Sequence, residues 1–173
     1  VSISSDLEEL YITLILDEGE QYKVGEVNIS GELPLEREFF EKLLNIPEGS
    51  TYSESIITSY EEFFANILGN EGYTFAEIDG VPTISSEDKI TDITFVFNPS
   101  RKNYTRRVKF RGNDFTTDEV LRREMRQFEG AWSSNNSIEA GKIRLERLGY
   151  FKEVEVETIP VPNTDDQIDI VYS

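Results

Sequence analysis

The side chains here that could do chemistry are nearly all carboxylates. The chain carries 34 Asp and Glu against 17 Lys and Arg, with no cysteine and no histidine. That removes thiol nucleophiles, disulfides, thiolate metal sites, Ser-His-Asp triads and imidazole acid/base chemistry. Neighbouring acids occur at Glu61-Glu62, Glu87-Asp88 and Asp165-Asp166, where the surrounding pattern predicts helix surfaces or turns. Adjacency does not build the opposed acid and base that hydrolysis needs. Nor is the D-x-D-x-D-G spacing of a calcium loop supplied anywhere. No catalytic residue, metal site or cofactor is expected, and a carboxylate enzyme is a distant alternative.

One charged pattern is more specific. On a helix, Arg122, Arg126 and Glu129 fall at i, i+4 and i+7, one step round from the apolar Leu121, Met125 and Phe128. This spacing predicts a flanking, partly exposed ridge that ends at Gly130-Ala131-Trp132. Surface ion pairs stabilise little, so such a ridge is a solvated face unless a partner docks on it.

Charge is distributed unevenly. Residues 1–100 hold 4 Lys/Arg and 21 Asp/Glu, whereas residues 101–173 hold 13 of each. Within the latter, residues 101–126 carry 9 basic and 4 acidic side chains. The acidic bulk would repel nucleic acid, and neither a G-x-x-G loop nor stacking aromatics support an RNA-binding α+β module. The basic segment suits an acidic partner. No apolar run reaches the length of about 18 residues that a membrane helix needs. The opening "VSIS", in mid-pattern and without Met, reads as a piece of something longer. Absence of cysteine suits an oxidising compartment.

The elements that must position these residues come in two copies. "VNISG" at Val27–Gly31 returns as "VKFRG" at Val108–Gly112, and "PEGSTYS" at Pro47–Ser53 as "FEGAWSS" at Phe128–Ser134. "GY" at Gly72–Tyr73 recurs at Gly149–Tyr150, and "DITFV" at Asp92–Val96 as "DIVYS" at Asp169–Ser173. Each copy predicts a strand closed by glycine and then two helices. The second helix carries Ile57, Tyr60, Phe64 and Ile67 in the first copy, and Ile138, Gly141, Leu145 and Leu148 in the second. Thr116-x-x-Glu119 is a capping-box signal, and Gly141 predicts a close helix approach. Trp132, read as the twin of Tyr52, is expected to plug the gap between the helices. Arg107, Lys109 and Arg111 alternate with Val108 and Phe110 and should face solvent. Two strands close each copy: Thr74–Ile78 with Thr91–Phe97, and Val154–Thr158 with Ile168–Tyr172. The order β-α-α-β-β predicts an α+β module with two helices on one face of a three-stranded mixed sheet. The expected domains are 20–100 and 101–173, joined near Asn98–Asn103. Residues 1–19 align with the end of a module and read as the closing strands of a preceding one, packed on a neighbour or added to another molecule's sheet.

The runs "YTRRVKFRGND", "VLRREMRQFEGAW", "RLERLGYFKEVEVET" and "DQIDIVY" resemble the last POTRA module of the BamA family. The first copy is similar to the penultimate POTRA domain. The resemblance covers the whole chain and is most specific in the second copy. It implies a periplasmic, non-enzymatic protein-binding scaffold of outer-membrane β-barrel assembly. Membrane contact would come only through a barrel beginning soon after Ser173. The implied partners are a BamD-like lipoprotein and unfolded outer-membrane proteins. Resemblance in "RREMRQFEGAW" carries lipoprotein docking onto Arg122, Arg126 and Glu129. It also places the free sheet edge, where extended clients would pair weakly, at the second strand of each module. Those strands are Thr74, Phe75, Ala76, Glu77 and Ile78, then Val154, Glu155, Val156, Glu157 and Thr158. The POTRA region of a related translocation or secretion protein is the alternative within the same fold.

Overall fold

The computed structural model describes residues 20–173, preceded by the backbone of residues 2–3 and 10–11. The latter form a short antiparallel pair, β1 (Ser2–Ile3) and β2 (Leu10–Tyr11). Otherwise the reading of residues 1–19 as closing strands falls outside the described residues.

Two β-α-α-β-β units follow. The first comprises β3 (Lys23–Gly31), α1 (Arg37–Leu43), α2 (Glu54–Asn70), β4 (Glu77–Ser85) and β5 (Ile90–Asn98). The second comprises β6 (Tyr104–Phe110), α3 (Asp118–Glu124), α4 (Asn135–Arg147), β7 (Val156–Pro160) and β8 (Gln167–Tyr172). The sheets are ordered β3-β5-β4 and β6-β8-β7. In each, the third strand is central, parallel to the first and antiparallel to the second. A parallel pair cannot be joined by a tight turn, so the two helices supply the crossover and cover one face. The α+β mixed-sheet fold expected from the periods is the one observed.

Alternation places the cores. In the first unit Ile93, Phe95 and Phe97 of β5 meet Phe40 of α1 and Phe64 and Leu68 of α2, all buried. The ring centroids of Phe40, Phe64 and Phe97 lie 4.8–5.8 Å apart, in tilted and edge-on pairs. In the second unit Leu121, Met125, Ile138, Leu145, Ile170 and Tyr172 form the core. Gly141 makes room there for β8 rather than for another helix: a Cβ on it would stand 2.7 Å from Tyr172 Oη and 3.3 Å from Met125 Sδ. The buried Tyr172 hydroxyl donates to the Ile138 carbonyl at 2.9 Å. Tyr60, the counterpart of Gly141, packs instead beside Phe95, the counterpart of Tyr172.

Several local expectations are corrected. The capping box is not made: Thr117 is the N-cap of α3 without a side-chain bond. Asn113 Nδ2 instead ties the preceding turn to the helix start, donating to the Thr116 carbonyl and to Asp118 Oδ1. α3 stops at Glu124, and Met125 turns extended at φ −67°, ψ 141°. The helix is thus too short to carry Arg126 or Glu129. β4 begins at Glu77, so Thr74, Phe75 and Ala76 precede it, and it continues through Gly80-Val81-Pro82 to Ser85. Proline is tolerated there because β4 is an edge. β7 starts at Val156, leaving Val154 buried in the core ahead of it. Trp132 does not sit between the helices. It bridges Tyr104 as Thr51 bridges Lys23, which makes Thr51 its counterpart. Its ring stacks on Tyr104 with centroids 3.8 Å apart and remains 45% exposed.

The segment between the units is pinned at Asn103 to both units. Asn103 N–H donates to the Gly72 carbonyl at 2.8 Å, and Ser133 N–H to the Asn103 carbonyl at 2.9 Å. The Thr74 and Ser133 hydroxyls are bonded to each other, and Asn70 Oδ1 accepts from Asn136 N–H at 2.7 Å. Lys102 Nζ lies 4.9 Å from the Trp132 ring.

Candidate protein-docking surface

The proposed ridge is built differently from a helix face. Beyond α3 the chain loops back along β6, organised by the buried Gln127, whose Nε2 donates to the Trp132 carbonyl at 2.9 Å while its Oε1 accepts from Ser134 N–H at 3.0 Å. Gly130, at φ +82°, turns this loop. Its backbone then pairs with β6: Gly130 N–H donates to the Thr105 carbonyl at 2.7 Å and Thr105 N–H to the Ala131 carbonyl at 2.9 Å.

Arg122 and Glu129 do meet, but around a piece of main chain. Glu129 Oε1 accepts from Val108 N–H at 2.8 Å and from Arg122 Nη1 at 3.1 Å. Arg122 Nη2 donates to the Val108 carbonyl at 2.9 Å, and its guanidinium lies 5.6 Å from the Phe110 ring. The pair gives the outer edge of β6 one acceptor and one donor, as a neighbouring strand would. The Val108 bond, helped by Arg122 and opposed by partial burial, lowers the Glu129 pKa below its ordinary value. Arg126 is separate and exposed, with no ion pair among the described residues. Phe128 beside it is 66% exposed. Val108, Arg122, Met125, Gln127, Phe128 and Glu129 line a groove of about 250 Å³. Sequence reasoning missed Gln127, Phe128 and the Val108 backbone. The helical period carried past Glu124 had assigned Phe128 to the core.

The two client edges also differ. On β4, Gly80 N–H donates outward to Glu61 Oε1 at 2.6 Å. Alternate residues share that direction, and of these Pro82 has no N–H to offer. Gly80 and Pro82 thus offer no free outward N–H, while alternation leaves those of Ile78 and Ile84 open. On β7, Glu155 exchanges both backbone bonds with Ser173 at 2.8 and 3.0 Å. Alternation then turns the N–H and C=O groups of Val156 and Thr158 outward, and those of Glu157 toward β8.

The uncovered sheet face of the second unit holds a further cluster. Arg107, Lys109 and Arg111 are exposed as expected, yet Lys109 is committed. Its Nζ donates to Asp169 Oδ2 at 2.6 Å, while Arg106 Nε and Nη2 donate to the two Asp169 oxygens at 2.8 and 2.7 Å. A bulge between Thr105 and Arg107 brings Arg106 to this face. The carboxylates considered for catalysis are dispersed into structural roles, Glu61 on Gly80 and Asp165 on Arg101. Among the described residues, no group of three acidic side chains is placed to hold a metal. No helix among them is long and apolar enough to cross a membrane.

Comparison with known proteins agrees with this architecture. The model of the POTRA family, described as a surface antigen variable number repeat, matches residues 22–100 and again 103–173. The outer membrane protein assembly factor BamA of Neisseria meningitidis serogroup B is 32% identical over 174 residues, covering 100% of this chain and 22% of the relative. BamA of Buchnera aphidicola is 28% identical, covering 99% of this chain and 28% of the relative. The chain thus spans about a quarter of the length of these curated relatives. Among solved structures, Haemophilus influenzae BamA POTRA3-5 superposes with a TM-score of 0.85 at 36% identity, covering 90% of this chain and 61% of that one. BamA from Haemophilus ducreyi lacking POTRA domains 1-3 gives 0.75 at 39% identity, covering 87% and 29%.

Proposed function

Because this chain belongs to the POTRA family, we propose that it serves as the periplasmic, protein-binding scaffold of an outer-membrane β-barrel assembly factor, with no catalysis of its own. The observation that carries this reading is the end-to-end alignment of both units with BamA proteins. In it, a BamD-like lipoprotein docks on the second unit over Arg126, Phe128 and the outward side of Glu129. Arg122 holds Glu129 in place. An exposed aromatic flanked by charges suits such an interface, the ring giving affinity and the charges orientation.

Arg126→Glu reverses a charge without a described partner in the fold. Capture of the cognate lipoprotein should fall by about tenfold or more, with the Tm within about 2 °C of wild type. Glu129→Lys should lose capture and also destabilise by about 1–2 kcal/mol, since Val108 N–H loses its acceptor and the lysine confronts Arg122. Undiminished capture by Arg126→Glu would remove docking from this loop.

Unfolded outer-membrane proteins, in the same reading, add weakly to β7. Backbone pairing suits clients that share an alternating pattern and no sequence. Proline at Val156 or Thr158 removes an outward N–H and spares the β7–β8 ladder. Photocrosslinks from β7 to a client in transit should drop several-fold; yields equal to wild type would sink the assignment.

A further inference from the structure

We infer that the outer edge of β3 in the first unit is a binding groove for an extended polypeptide segment bearing a Lys or Arg side chain. The two units present the same edge at equivalent positions and finish it differently. In both, the loop between the helices covers the start of the first strand. Val24 exchanges bonds with Ser50 and Gly49 at 2.8 Å each, as Thr105 does with Ala131 and Gly130. Further along, Arg122 and Glu129 cap Val108 in the second unit.

The residues 81 positions earlier are Val27, Glu41 and Glu48. Two carboxylates cannot form the ion pair, and neither can donate to a carbonyl. Arg37 also lines the groove, its Nη1 bonded to the Ile29 carbonyl at 2.8 Å and 3.9 Å from Glu41 Oε1, but it bonds neither Val27 nor Glu48. With Ile29 facing outward, alternation turns the N–H and C=O of Val27 to the same side. Among the described residues, no side chain reaches either group. The space left is a groove of about 270 Å³, floored by Val27, Ile29, Leu44 and Ile46 and flanked by Glu41 and Glu48.

The occupant follows from what is missing. A peptide backbone supplies at once the acceptor for Val27 N–H and the donor for its carbonyl. Alternate apolar side chains would meet the floor. A cation between Glu41 and Glu48 would stand where Arg122 stands in the second unit. The chain's own first 19 residues are a poor match, with Asp6, Glu8, Glu9, Asp17 and Glu18 and no Lys or Arg. This surface is distinct from both the Arg126–Phe128 loop and β7, so it survives or fails independently of the lipoprotein and client assignments.

Glu41→Arg tests it by installing the missing half of the cap opposite Glu48. With the 173-residue chain, a fluorescent heptapeptide alternating valine and arginine should bind, shift the Val27 amide resonance, and outbind its valine–glutamate counterpart by about tenfold or more. In Glu41→Arg the peptide affinity should fall by at least about tenfold, hydrogen exchange at Val27 should slow without peptide, and the Tm should hold or rise. Equal binding of both peptides, an unmoved Val27 amide, or wild-type affinity in Glu41→Arg would overturn the proposal. So would a concentration-dependent dimer of the chain alone that Glu41→Arg dissolves, because the groove would then belong to a second copy.

Discussion

Gly31→Ala should destabilise the first unit by about 3–5 kcal/mol, whereas Gly112→Ala at the matching repeat position should cost the second only about 1 kcal/mol. Both glycines have positive φ, +90° and +72°. Around Gly112 no atom lies within 4 Å of an added Cβ, so only backbone strain opposes the methyl group. At Gly31 the same atom would press into the Phe97 main chain. The reason is pairing: β3 stays in register through Gly31 opposite Phe97, whereas β6 leaves the sheet at Phe110. Glu32 N–H then donates to the Phe97 carbonyl at 3.0 Å, a cross-strand bond that alanine at Gly31 would force open. In urea titrations, far-UV circular dichroism should report an early transition in Gly31→Ala. Fluorescence of Trp132, the chain's single tryptophan and part of the second unit, should keep a later midpoint. Equal losses in the two variants would refute this packing argument.

Asp169→Asn should lower the stability of the second unit at neutral pH by about 2 kcal/mol, less than a fully buried broken pair costs because Arg106 and Lys109 both reach water. The Asp169 side chain is only 7% exposed. Arg106, through two hydrogen bonds, and then Lys109 hold its carboxyl well below the usual aspartate range, against the upward push of burial. A carboxylate depressed by folding contributes stability that is complete above its unfolded pKa of about 4 and is lost as pH falls below that toward the folded value. The difference in Trp132 unfolding midpoint between wild type and Asp169→Asn should therefore be wide at pH 6 and shrink below pH 4. A gap that stayed constant down to pH 2.5 would show that the charge does not stabilise the fold. The cluster also explains how Asp169 remains buried on a sheet face without helices: Arg106 and Lys109 close over its carboxylate.

Periodicity was enough to reveal much of this molecule. Ile57 and Phe64, or Ile138 and Leu145, recur at helical spacing because one helix stripe must be buried, and the alternation in "DITFV" and "DIVYS" exists because one sheet face must be. These are short-range consequences of regular geometry, so they are written in the local sequence. The repeat of landmarks likewise announced two copies of one module. Where a regular period was extrapolated beyond its element, the reading slipped. Met125 abandons helical ψ, and Arg126 and Glu129 leave with it. Gly80-Val81-Pro82, a poor strand by local propensity, is held in β4 by nine pairings with β5.

By itself, then, the sequence determined the order of elements, the mixed two-layer module, its duplication and the segregation of negative charge into the first copy. Tertiary structure alone decided which polar groups meet. Val108 and Glu129 are 21 positions apart, Gly80 and Glu61 19, Asp169 and Arg106 63. Such bonds satisfy the particular N–H, C=O and charged groups that sheet closure leaves without partners, and which groups those are depends on strand order and register. No local pattern of residues encodes that.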